Sequence, residues 1–416
     1  MTDSTDTAFD ADVIVVGGGL AGSITALPVA RAGAKVIVVE KASFPRHKVC
    51  GEGLLPHGVG LLKKLELDHL LDECQAQPFS GILYRAYGVW APGDFADGQV
   101  GYGIQRYLLD DKLHQSAIAH DNVTLVKDQV RGLAHDDDGV TVTTRKGDTY
   151  RARVLVGADG VRSTTRHLLG LDKGPPKRQR YGLRRHFRLR DGVALPRRVE
   201  VNVLDGFELF ITPVEPGVMG VAALMERHIT QQGKGSQNDR LDALLQHAPD
   251  LLRERLEGAT PVNDAKAVGP LMADTKEVHQ GRCVLVGDAA GFVDAITGEG
   301  MTIAFATADT CAAAVLDVLN GEAPAAAFGR YAKMRHGIYR DHKILTLGLL
   351  TMAGRPAIIR RAVTRLKDDP QLFTDLLNVN NGTHSIWSFG LWNMVKLGLG
   401  KTPPRVFPTE AGLDLA

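Results

Sequence analysis

Four short stretches dominated by β-branched residues show no alternation of polar and apolar positions: 12–16 (DVIVV), 35–39 (KVIVV), 153–156 (RVLV) and 283–286 (CVLV). That pattern belongs to parallel strands buried on both faces. Apolar residues elsewhere recur at helical spacing over 20–32, 54–72, 107–120, 237–256 and about 300–319. Gly33 suits the end of the first helix, and Pro28 is expected to bend it. Residues 79–104, 123–156 and 181–225 read as strands, with turns at Asp136-Asp137-Asp138-Gly139 and Lys146-Gly147-Asp148 and alternation over 184–190. The class predicted is α/β: a doubly wound, Rossmann-like domain with a β-rich insertion and a helical C-terminal region. The first takes residues 1–78, 101–175 and 271–340, the second 79–100 and 176–270, the third 341–416.

A length of 416 residues suits such a division. A net charge of +1 argues against nucleic acid as a partner. Cys50, Cys74, Cys283 and Cys311 are far apart, so a disulfide scaffold, a zinc ribbon and an iron–sulfur site are not expected. Reduced cysteines and a polar start, MTDSTDTAFDA, predict a cytoplasmic protein. The apolar run 344–354 is too short to span a bilayer, so any membrane contact would be peripheral. There is no HExxH pair, Cys/His cluster or GxSxG elbow, so neither a metal site nor an α/β-hydrolase is predicted.

Three of the buried strands end in glycine-rich corners. The first, Gly17-Gly18-Gly19-Leu20-Ala21-Gly22, is a GxGxxG between a strand and a helix. Its backbone can approach a pyrophosphate at the helix N-terminus. Glu40, followed by Lys41, stands at the end of the next strand, where a carboxylate meets ribose hydroxyls. An acid there repels a 2′-phosphate, leaving FAD or NAD. The second corner is Gly157-Ala158-Asp159-Gly160; the third is Gly287-Asp288-Ala289-Ala290-Gly291, followed by Gly298, Gly300 and Met301. Three corners on one sheet edge suggest an extended cofactor. Asp288 would meet a polyol, and the backbone near Gly298–Gly300 would stabilise negative charge on a ring.

With these corners, Arg106 in IQRYLLDDKL and GADGVRS at 157–163 with Arg166, the chain resembles a group of FAD-dependent enzymes. Its members include aromatic hydroxylases, flavin-dependent halogenases and geranylgeranyl reductases. The resemblance covers about residues 11–310 and implies a glutathione-reductase-type FAD domain. It implies that Gly17, Gly19, Gly22 and Glu40 hold the ADP part and Asp288 the ribityl chain. It implies further that Asp159 serves both FAD and NAD(P)H, and that Arg106 lies beside the cofactor. The segment FPRHKVCGEGLLP at 44–56 is most similar to geranylgeranyl reductases and their relatives, as is DAITGEGM at 294–301. The reductase Tyr-x-Trp-x-Phe-Pro and halogenase Trp-x-Trp-x-Ile-Pro motifs are absent, and Glu208–Pro213 is the nearest stretch to the former.

Cys50, in a Gly-Glu-Gly turn, is a candidate proton donor or a wall of the flavin pocket, and Glu52 a site residue or a turn former. The basic run 177–190 reads as a solvated strand face, or as a dock for NADPH or an anionic substrate. The tail 386–400, with Trp387 and Trp392, reads as a core helix, a greasy channel or a membrane contact. The function implied is an NADPH- or NADH-using monooxygenase that takes O₂ and a small apolar or aromatic substrate. The alternatives are a prenyl-chain ene reductase and, from another class, a non-catalytic flavoprotein.

Overall fold

The structure is a computed structural model that describes residues 8–175, 178–232 and 235–398. Its first sheet has a parallel centre in the order Cys283–Leu285, Thr149–Gly157, Ala11–Val16, Val36–Val39, Val123–Val126. All four residues of Val36–Val39 are buried, as a run without alternation requires. Val16 pairs with Gly157, and Gly157 with Leu285. Neighbouring strands lie about 4.8 Å apart, so this register sets the three glycine corners side by side. The helix Leu20–Arg31 covers one face and packs against Gly300–Leu319. Gly300–Leu319 is, among the described residues, the one helix long and apolar enough to cross a membrane, and most of it is buried in this core.

The second sheet runs Thr260–Pro261, Arg180–Arg188, Val218–Glu226, Phe207–Glu215, Val199–Leu204, Gly81–Ala86, Val89–Asp94. It is antiparallel except where Val199–Leu204 meets Gly81–Ala86. Leu209, Ile211, Val221 and Ala223 point to one face, beneath Gln237–Leu245 and Asp250–Leu256. Val201, Phe210, Ala222 and Leu224 point to the other and belong to a core shared with the C-terminal helices. Those helices are Pro324–Ala353, Pro356–Asp368, Pro370–Asn380 and Ile386–Gly398.

Two expected helices are broken. The 54–72 helix is Pro56–Lys64 and His69–Glu73, parted where Glu66 takes a left-handed conformation. The 237–256 helix breaks before Pro249, whose missing N–H and fixed φ suit a helix start. In the tail, Ile386, Phe389 and Leu397 are buried in the second core while Trp387 is exposed beside Arg340. That part of the tail is a core helix; 399 and 400 lie outside the described residues.

Candidate cofactor and active site

At the first corner the glycines are required by contact. A Cβ on Gly17, whose φ is +104°, would lie 2.6 Å from the Ala158 carbonyl oxygen. One on Gly22 would lie 1.8 Å from that of Gly17. The helix can therefore start directly against the turn, leaving a cradle for an anion at its N-terminus. Glu40 is buried; its carboxylate accepts the Gly18 N–H at 2.7 Å and the Ala42 N–H at 2.6 Å. Replacing Glu40 by alanine would leave two N–H groups unpartnered, at about 1–3 kcal/mol each. The expected result is at least a roughly tenfold loss of FAD affinity, read by titrating apoprotein with FAD.

Ser163 caps the helix Thr164–Leu168 by accepting the Arg166 N–H at 2.9 Å, and Asp159 braces that cap. Asp159 accepts the Ser163 hydroxyl and the Thr165 N–H, the latter at 3.0 Å. Arg166 ties this corner to the third, donating to the Ala289 carbonyl at 2.9 Å and pairing with Asp172 at 2.6 Å. Asp288 pairs with Lys48 at 3.0 Å. Arg106 holds Asp110 by two hydrogen bonds, at 2.6 and 3.0 Å. Burial works against its charge, but Asp110 and the neighbouring Cys50 hold the guanidinium in its charged form.

Cys50 is half-buried, and its sulfur accepts the Glu52 N–H at 3.3 Å. Glu52 sits at φ +62°, with its side chain fully enclosed. One carboxylate oxygen accepts the Arg106 N–H at 3.0 Å and lies 3.6 Å from Arg184; the other is 2.6 Å from His186 Nε2. Burial pushes the Glu52 carboxyl up, but His186, Arg184 and the Arg106 N–H outweigh it and hold it below its ordinary value. Asn263 Oδ1 accepts the His186 N–H at 3.3 Å, which turns its Nδ2 toward His186 Nδ1 at 2.8 Å. Arg184 lies against the same ring, 3.0 Å from Nδ1 and 3.2 Å from Nε2. His186 Nε2 thus faces the Glu52 carboxylate from the second sheet, with Asn263 and Arg184 bracing the ring. The carboxylate is fully committed to holding the Cys50 turn.

The basic run is not one solvated face. Arg180 and Arg184 are buried, the first paired with Glu208 and with Asp294 at 3.1 Å, while Arg178 and Arg190 are exposed and Arg185 and Arg188 reach Asp242 and Glu215. Sequence reading also missed Lys48, His186, Asn263 and Tyr84. Period-2 alternation at 184–190 was the one available signal, since it puts Arg184 and His186 on the same face.

A single cavity of about 450 Å³ joins these parts. One end is lined by Gly17, Gly19, Leu20, Ala21, Glu40 and Lys41, and the middle by Cys50, Arg106, Asp159, Asp288, Gly298, Gly300 and Met301. Gly22 and Gly287 shape the turns behind these walls; a Cβ on Gly287 would meet Ala21 at 2.8 Å. The other end is apolar, with Leu55, Phe79, Ile82, Val201, Phe210 and Ile296. Among the described residues no group of His, Cys, Asp and Glu is arranged to hold a metal ion.

The arrangement is that of a flavoenzyme, and comparison with known proteins gives its family. Residues 10–342 match the FAD binding domain family, to which this chain belongs. It is an FAD-dependent oxidoreductase in a family that holds both monooxygenases and reductases. The menaquinone reductase of Mycolicibacterium smegmatis is 30% identical over 319 residues, covering 70% of this chain and 73% of the relative. Digeranylgeranylglycerophospholipid reductase 2 of Methanopyrus kandleri is 28% identical over 305 residues, with the same coverage of each. The fold is that of the flavin-dependent brominase Bmp2, with a TM-score of 0.78 at 19% identity, covering 93% of this chain and 97% of that one.

Proposed function

We propose that this enzyme is an ene reductase that saturates a carbon–carbon double bond in an apolar, prenyl-type chain. The observation that carries this reading is the position of Cys50, half-buried beside the Arg106 guanidinium where the cofactor half of the cavity meets its apolar half. Gly17, Gly19, Leu20, Ala21, Gly22, Glu40 and Lys41 would hold the adenosine diphosphate of FAD. Asp159, Gly287, Asp288, Gly298, Gly300 and Met301 would hold the rest. When bound there and reduced by NADPH or NADH, FAD would supply the hydride for one alkene carbon. Cys50 gives its proton to the other carbon, which balances the addition of two hydrogens. Arg106 offsets the negative charge left on sulfur until solvent returns the proton. The apolar side chains exclude water and align the chain.

The two named relatives that span most of their own length are reductases, whereas the monooxygenase matches reach only about 40% of this chain. That coverage favours reduction over the hydroxylation expected from sequence. Oxygen transfer is the second reading, supported by the same dry cavity. The test is anaerobic incubation of the NADPH-reduced holoenzyme with geranylgeraniol, followed by mass spectrometry. A product with two added hydrogens is expected. No product without air, and one carrying an added oxygen atom with air, would replace this reading with the second.

A further inference from the structure

Strand register measures the floor of the apolar half-cavity. Reading across the second sheet, Arg184 faces Ala222, Ala222 faces Phe210, Phe210 faces Val201, and Val201 faces Tyr84. Four interstrand steps of about 4.8 Å place Tyr84 about 19 Å along the sheet from Arg184. Arg184 backs the Cys50 turn, through Glu52 and through the Lys48 carbonyl at 3.4 Å. Between the two ends the floor is Ala222, Phe210 and Val201, and Leu55, Phe292 and Ile296 also line this part.

Two side chains bring polar groups to this floor, Thr212 and Tyr84. The Thr212 hydroxyl donates to the Gly51 carbonyl at 2.7 Å. The Tyr84 hydroxyl has no hydrogen-bond partner among the described residues. Burial, and then the nearby Glu208 and Glu299, push the Tyr84 phenol up, so it stays a neutral donor. Burial also raises Glu208 to about 7 against the pull of Arg180, and raises Glu299 against that of His342. Arg180 is already held by Glu208 and Asp294, and the His342 ring lies against Glu299. The lysines and arginines that line the cavity, Lys41, Arg46, Lys48 and Arg106, all belong to its cofactor half. Among the described residues that line this end of the cavity, an anion at Tyr84 would meet the phenol, with Glu208 and Glu299 nearby, and no lysine or arginine.

We propose that Tyr84 selects the substrate's end group, donating a hydrogen bond to a neutral hydroxyl or carbonyl oxygen at the terminus of an apolar chain, and that the same chain ending in a diphosphate is rejected. This rests on the reading of the cavity as the seat of such a chain, and it adds which terminus is accepted. Farnesol, farnesyl diphosphate and farnesene share one chain and differ at the end. Each is titrated into FAD-loaded protein, reading the change in flavin absorbance. Farnesol is expected to bind at least about tenfold tighter than the diphosphate, and Tyr84→Phe to weaken farnesol about tenfold with little effect on farnesene. Equal or tighter binding of the diphosphate to the wild type overturns the proposal without reference to the variant. So does a Tyr84→Phe loss that is absent or equal for alcohol and hydrocarbon, or a failure of all three to perturb the spectrum. Because binding is read, this pattern without any anaerobic reduction would overturn the reductase reading alone.

Discussion

Replacing Cys50 by alanine is expected to lower kcat for alkene reduction by about a hundredfold or more, the range in which a positioned general acid contributes. FAD content should change little, because the sulfur touches only the Glu52 N–H of its own turn and the Arg106 guanidinium, which Asp110 still holds by two hydrogen bonds. The rate at which NADPH reduces bound FAD without substrate should also hold, since that half-reaction needs no proton at the substrate carbon. A fall in kcat with KM constant would place the loss in the transition state rather than in binding. Serine at position 50 should rescue little, because its hydroxyl is a far weaker acid than a thiol. The measurement is anaerobic single turnover, with product counted by mass spectrometry. If Cys50→Ala reduces the prenyl alcohol at the wild-type rate, the proton comes from elsewhere and the role assigned to this thiol is lost.

The parts of this site that were legible in the sequence are those built from contiguous residues. A GxGxxG is a local device: the Gly22-to-Gly17 contact that forbids a side chain arises within six residues, and the strand before it is buried by its own composition. Glu40 was legible because one helix and one strand fix its distance from the first corner. The clamp on Cys50 was not, because Glu52 and His186 are 134 residues apart and meet only through the packing of the second sheet. The basic run misled for a related reason. Alternation says that two faces differ, but it does not say which face is buried, and here the arginines on the inner face are matched to acids far away in sequence, Glu52, Glu208 and Asp294. Tyr84 needed more still: its place depends on the register of five strands, which no local pattern encodes.

Glu52→Gln is expected to be the most destabilising conservative change in the site. The carboxylate accepts hydrogen bonds from both sides, Arg106 N–H on one oxygen and His186 Nε2 on the other. An amide has one acceptor oxygen, so its NH₂ must face one of those donors, and fully buried Arg184 loses its counter-charge. Removing one partner of a buried pair costs about 3–5 kcal/mol. The melting temperature should fall by several degrees or more, and bound FAD should fall with it, because the Arg106 N–H lies at the start of the Arg106–Ile118 helix that reaches the cofactor half. Acid denaturation gives an independent readout. Glu52 is held below its ordinary value of 4.5, so its contribution is complete above that value and is lost as the pH falls through the lower, folded-state value. The wild type should therefore lose stability relative to Glu52→Gln across that window, and the two melting curves should converge toward low pH. A gap that stays constant from neutral pH to below pH 4 would mean that the loss comes from packing, and that the ionised carboxylate is not what holds the Cys50 turn.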